Sequence, residues 1–106
     1  MRRPADFRSA MRRGRRTGTQ TVVVYVALTG DAQSMAGFAV SKTVGGAVIR
    51  NRVTRRLRAI LTELLPTVPT GCHVVVRALP ESAAVSFETL KSDVSHALAR
   101  SLAKAL

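Results

Sequence analysis

Six polar residues between positions 50 and 58 have the chemistry to bind phosphate groups. A guanidinium presents fork-shaped donors that match phosphate oxygens, and an amide both donates and accepts. No acid stands four positions from Arg55, Arg56 or Arg58 to offset their repulsion. A solvated helix face is the alternative, but this imbalance favours a polyanion such as RNA. The candidate residues are Arg50, Asn51, Arg52, Arg55, Arg56 and Arg58.

A helix over residues 47–64, ended by Pro66, would position these groups. Its apolar residues recur at helical spacing and fall within about 40° of one another on a helical wheel. Asn51, Arg55 and Arg58 lie on the opposite side, with Arg50, Arg52 and Arg56 on the two shoulders. The helix is therefore predicted to turn an apolar face inward and an arginine-rich face outward. The apolar residues are Ile49, Val53, Leu57, Ile60 and Leu64.

The positive charge of the chain is concentrated in its first half. The net charge is +11, and residues 1–58 carry 13 of the 17 Lys and Arg residues with only Asp6 and Asp31 as acids. In residues 59–106, four bases and four acids cancel. Solubility alone would not require this segregation, which indicates a polyanionic partner. Such crowding also predicts that folding is sensitive to added anions.

Other kinds of chemistry find little support in the sequence. The single cysteine, Cys72, cannot form an internal disulfide, and with His73 and His96 it makes no zinc set. No paired carboxylates or Ser-His-Asp set suggests catalysis by the chain, and Gly45 and Gly46 lack the Lys-Ser/Thr of a nucleotide loop. No apolar run reaches the ~20 residues of a membrane span. We expect a soluble, cytoplasmic, metal-free protein.

The remaining elements predict a single α+β domain over residues 1–106. A short helix is expected within residues 1–18, and strands over 19–29 and 35–41 are expected to form an antiparallel hairpin. The near-continuously apolar residues 72–79 predict a strand buried on both faces, followed by a helix from Phe87 with Ser86 as N-cap. The order α-β-β-α-β-α, with one further short strand allowed, indicates an αβ sandwich with a sheet of three or four strands.

The segment 41–58, SKTVGGAVIRNRVTRRLR, resembles the signature of the bacterial ribonuclease P protein family. Upstream, Asp6-Phe7 and Arg13-Gly14 resemble the family's first helix. The strands that end at Tyr25, contain Gly37-Phe38 and run from Gly71 to Arg77 complete the resemblance, which covers nearly the whole chain. Three positions depart from the pattern: the family usually has Lys at Thr43, Asn at Gly46, and Lys or Arg at Thr54. The matching positions are Ser41, Lys42, Val44, Gly45, Ala47, Val48, Arg50, Asn51, Arg52, Val53 and Arg55.

The resemblance implies a function as well as a fold. The fold would be ribosomal-protein-like, with a left-handed crossover that opposes the usual right-handed rule. The protein would bind the catalytic RNA, which performs the hydrolysis with magnesium, and would need no obligate protein partner. A cleft at Phe7, Met11 and Tyr25 would hold the 5′ leader of precursor tRNA by stacking. The RNA-binding set would be Lys42, Arg50, Asn51, Arg52, Arg55, Arg56 and Arg58.

Three alternatives stay open on the sequence alone. The Arg-rich start also resembles a mitochondrial presequence, but no cleavage-like spacer follows it. A small ribosomal protein of the same fold class would share the charge pattern. A helix-turn-helix DNA regulator would use residues 47–64 as its recognition helix, but no short partner helix precedes them at the expected distance. Identifying the RNA that co-purifies would separate these alternatives.

Overall fold

The computed structural model describes residues 14–29 and 33–106. These residues form four strands and two α-helices. The helix predicted within residues 1–18 falls mainly on residues 1–13, which the structure does not describe, and Arg15–Gly18 form a short strand. The elements are β1 (Arg15–Gly18), β2 (Val22–Leu28), β3 (Met35–Ala39), α1 (Ala47–Leu64), β4 (Cys72–Ala78) and α2 (Phe87–Ala105), with short 3₁₀ turns at Leu65–Thr67 and Pro80–Ala83.

The four strands form one sheet in the order β1-β2-β4-β3. The predicted hairpin between 19–29 and 35–41 is wrong, because β4 lies between β2 and β3 and pairs with both. Val74, Val75 and Val76 are buried on alternating faces of β4. A strand that is apolar on both faces is best shielded in the middle of a sheet, where neighbours also satisfy both of its edges.

The helix α1 connects two parallel strands. β3 pairs in parallel with β4, whereas β1–β2 and β2–β4 are antiparallel. Parallel neighbours need a long crossover, and α1 supplies it. The crossover connection that the resemblance implies is therefore present, and its left-handedness stays a prediction.

Both helices pack on the same face of the sheet. α2 lies over β1 and β2, α1 contacts β3, and the two helices contact each other. The core between them combines side chains from every layer. It includes Val22, Val24 and Val26 of β2, Val74 and Val76 of β4, Val53, Leu57, Ile60 and Leu61 of α1, and Leu90, Val94, Ala97 and Leu98 of α2.

The predicted inner face of α1 is correct at its centre and wrong at its first turn. Val53, Leu57 and Ile60 are fully buried, but Ile49 is 38% exposed and Leu61 is buried instead. A Cβ built on Gly45 would come within 2.8 Å of Cγ2 of Ile49. The Ile49 side chain therefore packs over the backbone that enters the helix and not into the main core.

The residues of β2 alternate between the two faces of the sheet. Even-numbered residues face the helices, while Val23 and Tyr25 pack with Val75 in a second cluster on the opposite face. Thr21 precedes the strand and is buried. Its hydroxyl donates to Oδ2 of Asp93 on α2 at 2.6 Å.

The start of α2 follows the sequence prediction. Oγ of Ser86 accepts a hydrogen bond from the backbone N–H of Thr89 at 3.1 Å, which confirms Ser86 as the N-cap. Leu90, Val94 and Leu98 are buried, and Phe87 packs partly buried against the same core. This packing fixes the position of α2 beside α1.

Candidate RNA-binding interface

A glycine pair leads the chain into α1. Gly45 has φ of 155°, and a side chain at this position would also collide with Ile49. Gly46 is the N-cap, with extended backbone and open space around its Cα, but it supplies no side-chain cap. Gly45 is therefore required by the turn, whereas Gly46 leaves the first N–H groups of the helix without a side-chain acceptor.

Two arginines on one shoulder of α1 bind the protein itself. Nη2 of Arg52 donates to the carbonyl oxygen of Ala83 at 3.0 Å, and Nη1 of Arg56 donates to that of Val85 at 3.0 Å. Both acceptors lie in the segment that leads into α2. We call Arg52 and Arg56 the clamp arginines, because they join α1 to the beginning of α2.

A third arginine stacks on an aromatic ring. The guanidinium carbon of Arg58 lies 5.8 Å from the centroid of Phe38. Phe38 pairs with Val76 across the sheet, so its ring is on the helix-covered face of β3. This cation–π contact orients the Arg58 guanidinium, which stays exposed at the surface of α1.

The most exposed side of α1 forms a shallow groove of about 480 Å³, which we call the outer groove. Asn51 and Arg55 are exposed there, and within the described residues neither side chain has a hydrogen bond or ion pair. Their donors are available to a ligand. The outer groove is lined by Val48, Asn51, Thr54, Arg55 and Arg58.

Val48 was not predicted as a site residue. It is 83% exposed and lies three and seven positions before Asn51 and Arg55, on the same side of the helix. An apolar side chain among guanidinium groups can pack on a ribose or a base while the cations bind phosphate. Its helical spacing from Asn51 could have indicated a site residue, but a single apolar residue on the polar side of a helix is common and predicts no function by itself.

Two other predicted RNA-binding residues, Arg50 and Lys42, do not line the outer groove. Arg50 is half-buried, and its Nε is buried without a hydrogen-bond partner. Lys42 is exposed in the loop before α1, where its carbonyl oxygen accepts from the N–H of Gly45 at 3.2 Å. Of the three departures from the family pattern, Thr54 lies in the outer groove itself and Thr43 bonds Ser41 in the loop at 2.7 Å.

The predicted leader cleft is described only in part. Phe7 and Met11 lie outside the described residues. Tyr25 is 4% exposed and packs with Val23 and Val75 on the sheet face opposite the helices. Its ring is not an open stacking surface here, and its contact with a leader stays a prediction.

The cysteine and the two histidines do not line the outer groove. Cys72 is buried, and burial raises the pKa of its thiol, which keeps the sulfur protonated. His73 is buried in β4, whereas His96 is exposed on α2. In residues 14–29 and 33–106, no three His, Cys, Asp or Glu residues lie together as a possible metal site. No helix in the same ranges is both long and apolar enough to span a membrane.

Comparison with known proteins agrees with this geometry. Residues 1–102 match the family model described as Ribonuclease P. The ribonuclease P protein component of Acidothermus cellulolyticus is 45% identical over 103 residues, covering 94% of this chain and 85% of that protein. That of Clavibacter michiganensis is 46% identical over 100 residues, covering 92% of this chain and 88% of that protein.

Solved structures share the fold. The RNase P protein of Staphylococcus aureus superposes with a TM-score of 0.81 at 22% identity, covering 92% of this chain and 90% of that one. The RNase P protein of Thermotoga maritima superposes with a TM-score of 0.78 at 24% identity, covering 91% of each chain. With the family model matched over almost the full length, the chain belongs to the ribonuclease P protein family.

Proposed function

We propose that this chain is the protein subunit of ribonuclease P and binds the catalytic RNA through α1. The observation that carries the proposal is the outer groove, where Asn51 and Arg55 are exposed and unpaired within the described residues. Family membership supplies the identity of the RNA. The groove supplies the chemistry, because guanidinium groups bind phosphates and an amide can address a ribose hydroxyl or a base edge.

Different residues of α1 have different roles in this proposal. The clamp arginines hold the helix against the start of α2, and Arg58 is oriented by the Phe38 ring. A preorganised cation loses less conformational freedom on binding than a free one. Arg55 and Asn51 then provide the adaptable contacts between these fixed groups.

The proposed reaction is removal of the 5′ leader from precursor tRNA. The phosphodiester hydrolysis is assigned to the RNA subunit with magnesium, and the protein reduces phosphate repulsion within the folded RNA. Leader binding at Phe7, Met11 and Tyr25 is the second part of the proposal, and would make precursor bind better than mature tRNA. That difference would favour product release.

Cleavage of precursor tRNA by the cognate RNA, with and without the protein, tests this function. We expect the protein to stimulate cleavage at low magnesium, where phosphate repulsion is least screened by the metal. High magnesium should reduce the difference. Absence of stimulation at every magnesium concentration would contradict the proposal.

A binding comparison tests the leader separately. The assembled holoenzyme should bind precursor more tightly than mature tRNA, and the RNA alone should discriminate less. Equal discrimination by the holoenzyme and the RNA alone would remove the leader cleft from the proposal and leave the role of α1 intact.

A further inference from the structure

We infer that a second RNA-binding surface lies at the β1 edge of the sheet, on the side away from α1; the inference rests on the proposed function. It consists of Arg15 on β1 and of Arg100 and Lys104 on α2, and we call it the β1–α2 patch. All three side chains are exposed. No role in RNA binding follows for these residues from the α1 signature, which ends at residue 58.

Contacts within the described residues place Lys104 beside β1, with Arg100 next to it on α2. Nζ of Lys104 donates to the carbonyl oxygen of Arg16 at 2.8 Å and contacts Oγ1 of Thr17 at 3.1 Å, so the last turn of α2 is attached to β1. Arg15 pairs with Val26 and so shares the helix-covered face of the sheet. Arg100 lies one turn before Lys104 and lines a shallow groove of about 300 Å³ with it and with Ala103.

The charge of the β1–α2 patch is not balanced nearby. The acids of the described residues are Glu63, Glu81, Glu88 and Asp93. Asp93, the last of them in the chain, is seven residues before Arg100, about 10 Å along the helix, and accepts from Thr21. Within residues 14–29 and 33–106, no ion pair neutralises the patch, and its positive charge fits the phosphate backbone of RNA.

Lys91, also on α2, differs from the patch residues because an acidic side chain neutralises its charge. Nζ of Lys91 forms an ion pair with Oε1 of Glu63 at 2.8 Å. Attraction to the carbonyl end of α2 accounts for the position of Lys104. This attraction does not account for Arg15, which lies on β1. Charged residues on an edge strand can also prevent pairing with another chain, but that role does not account for Arg100, which lies on a helix.

The position of the β1–α2 patch on the sheet indicates which part of an RNA it would bind. β1 and β3 are the opposite edges of the sheet, three strand spacings or about 14 Å apart, and α1 contacts β3 whereas α2 covers β1. The outer groove and the β1–α2 patch are therefore on different elements, near opposite edges of the sheet. The patch would bind the backbone of a second RNA segment, from either the catalytic RNA or the precursor tRNA, so that the protein bridges two segments.

The test is the salt dependence of binding by Arg15→Gln, Arg100→Gln and the double variant, with full-length protein. Each phosphate contact removed should lower the slope of log affinity against log salt by about 1, and the double variant should lose about 2. Lys91→Gln is the matched control, because it removes the same charge from α2 at a site already paired with Glu63. Arg100→Lys should keep most of the slope.

Two binding arms identify the source of the RNA. If the variants lower the salt slope for protein binding to the catalytic RNA by itself, the β1–α2 patch binds that RNA. If they lower the slope only for precursor tRNA binding to the holoenzyme, the patch binds the substrate. Slopes unchanged in both arms, or lowered equally by Lys91→Gln, would overturn the inference. In that case the proposed function would stand as long as the wild-type protein stimulates cleavage.

Discussion

The arginines of α1 differ in what their side chains already bind. Arg52 and Arg56 donate to backbone carbonyls, Arg58 stacks on Phe38, and Arg55 has no partner within the described residues. A helical wheel places Arg52 and Arg56 on a shoulder of the helix but cannot predict what they bind, because the carbonyl acceptors come from residues 83 and 85. The same change of residue should therefore have different consequences along the helix.

Replacing a clamp arginine should destabilise the fold. Arg56→Gln removes a charged hydrogen bond to the half-buried Val85 carbonyl, and we expect a loss of about 1 kcal/mol of unfolding free energy. For a domain of this size, that lowers the melting temperature by roughly 4–8 °C. Arg55→Gln, which breaks no described contact, is the matched control and should melt close to wild type. Equal melting temperatures for both variants would show that the clamp contributes nothing.

A cation restored to the outer groove should strengthen RNA binding. Thr54 lines the groove at a position where the family pattern has Lys or Arg. Thr54→Lys should increase affinity for the catalytic RNA and steepen its salt dependence by about 1, as expected for one added phosphate contact. Thr54→Gln adds length without charge and should not change the slope. A lysine variant that behaves like the glutamine variant would indicate that no phosphate lies beside residue 54.

At the scale of elements, the sequence predicts helices better than strand partners. The bounds of α1 are those expected, because its apolar spacing, Gly46 and Pro66 all act locally. The position of β4 between β2 and β3 depends on which strand is most buried from both sides, a property of the assembled layers. The clamp and the neighbourhood of Arg15, Arg100 and Lys104 depend on the same tertiary arrangement and were not predicted.

The two glycines before α1 should respond oppositely to substitution. Gly45→Ala places a side chain at φ of 155° and against Ile49, and should destabilise the protein. Gly46→Asn adds an N-cap acceptor where there is open space, and should stabilise it by a few tenths of a kcal/mol, or about 1–2 °C. Thermal melts of the two variants check this, and an unchanged or raised melting temperature for Gly45→Ala would contradict the assigned turn.

At the scale of the whole molecule, charge and packing act against each other. One apolar core lies between the sheet and two helices, whereas the net charge of +11 makes the exposed cations repel one another. Only one ion pair, Lys91–Glu63, connects side chains in the described part of the chain. Within the described residues the exposed positive charge is therefore poorly compensated, and a bound polyanion would offset it.

This imbalance predicts stabilisation by anions. Phosphate or sulfate should raise the melting temperature more than sodium chloride at equal ionic strength, because multivalent anions occupy clustered guanidinium groups in the folded state. The combined Arg15→Gln and Arg55→Gln changes should reduce the phosphate effect. Equal melts in phosphate and chloride would mean that exposed cations do not limit stability.

The central claim is that RNA lies against the outer groove of α1, and the affinity of Arg55→Gln for the catalytic RNA across a range of salt concentrations tests it most directly. The account predicts a melting temperature no lower than that of the wild type, weaker binding and a salt slope lower by about 1, with Lys91→Gln binding RNA like the wild type. Wild-type affinity and slope for Arg55→Gln would contradict it.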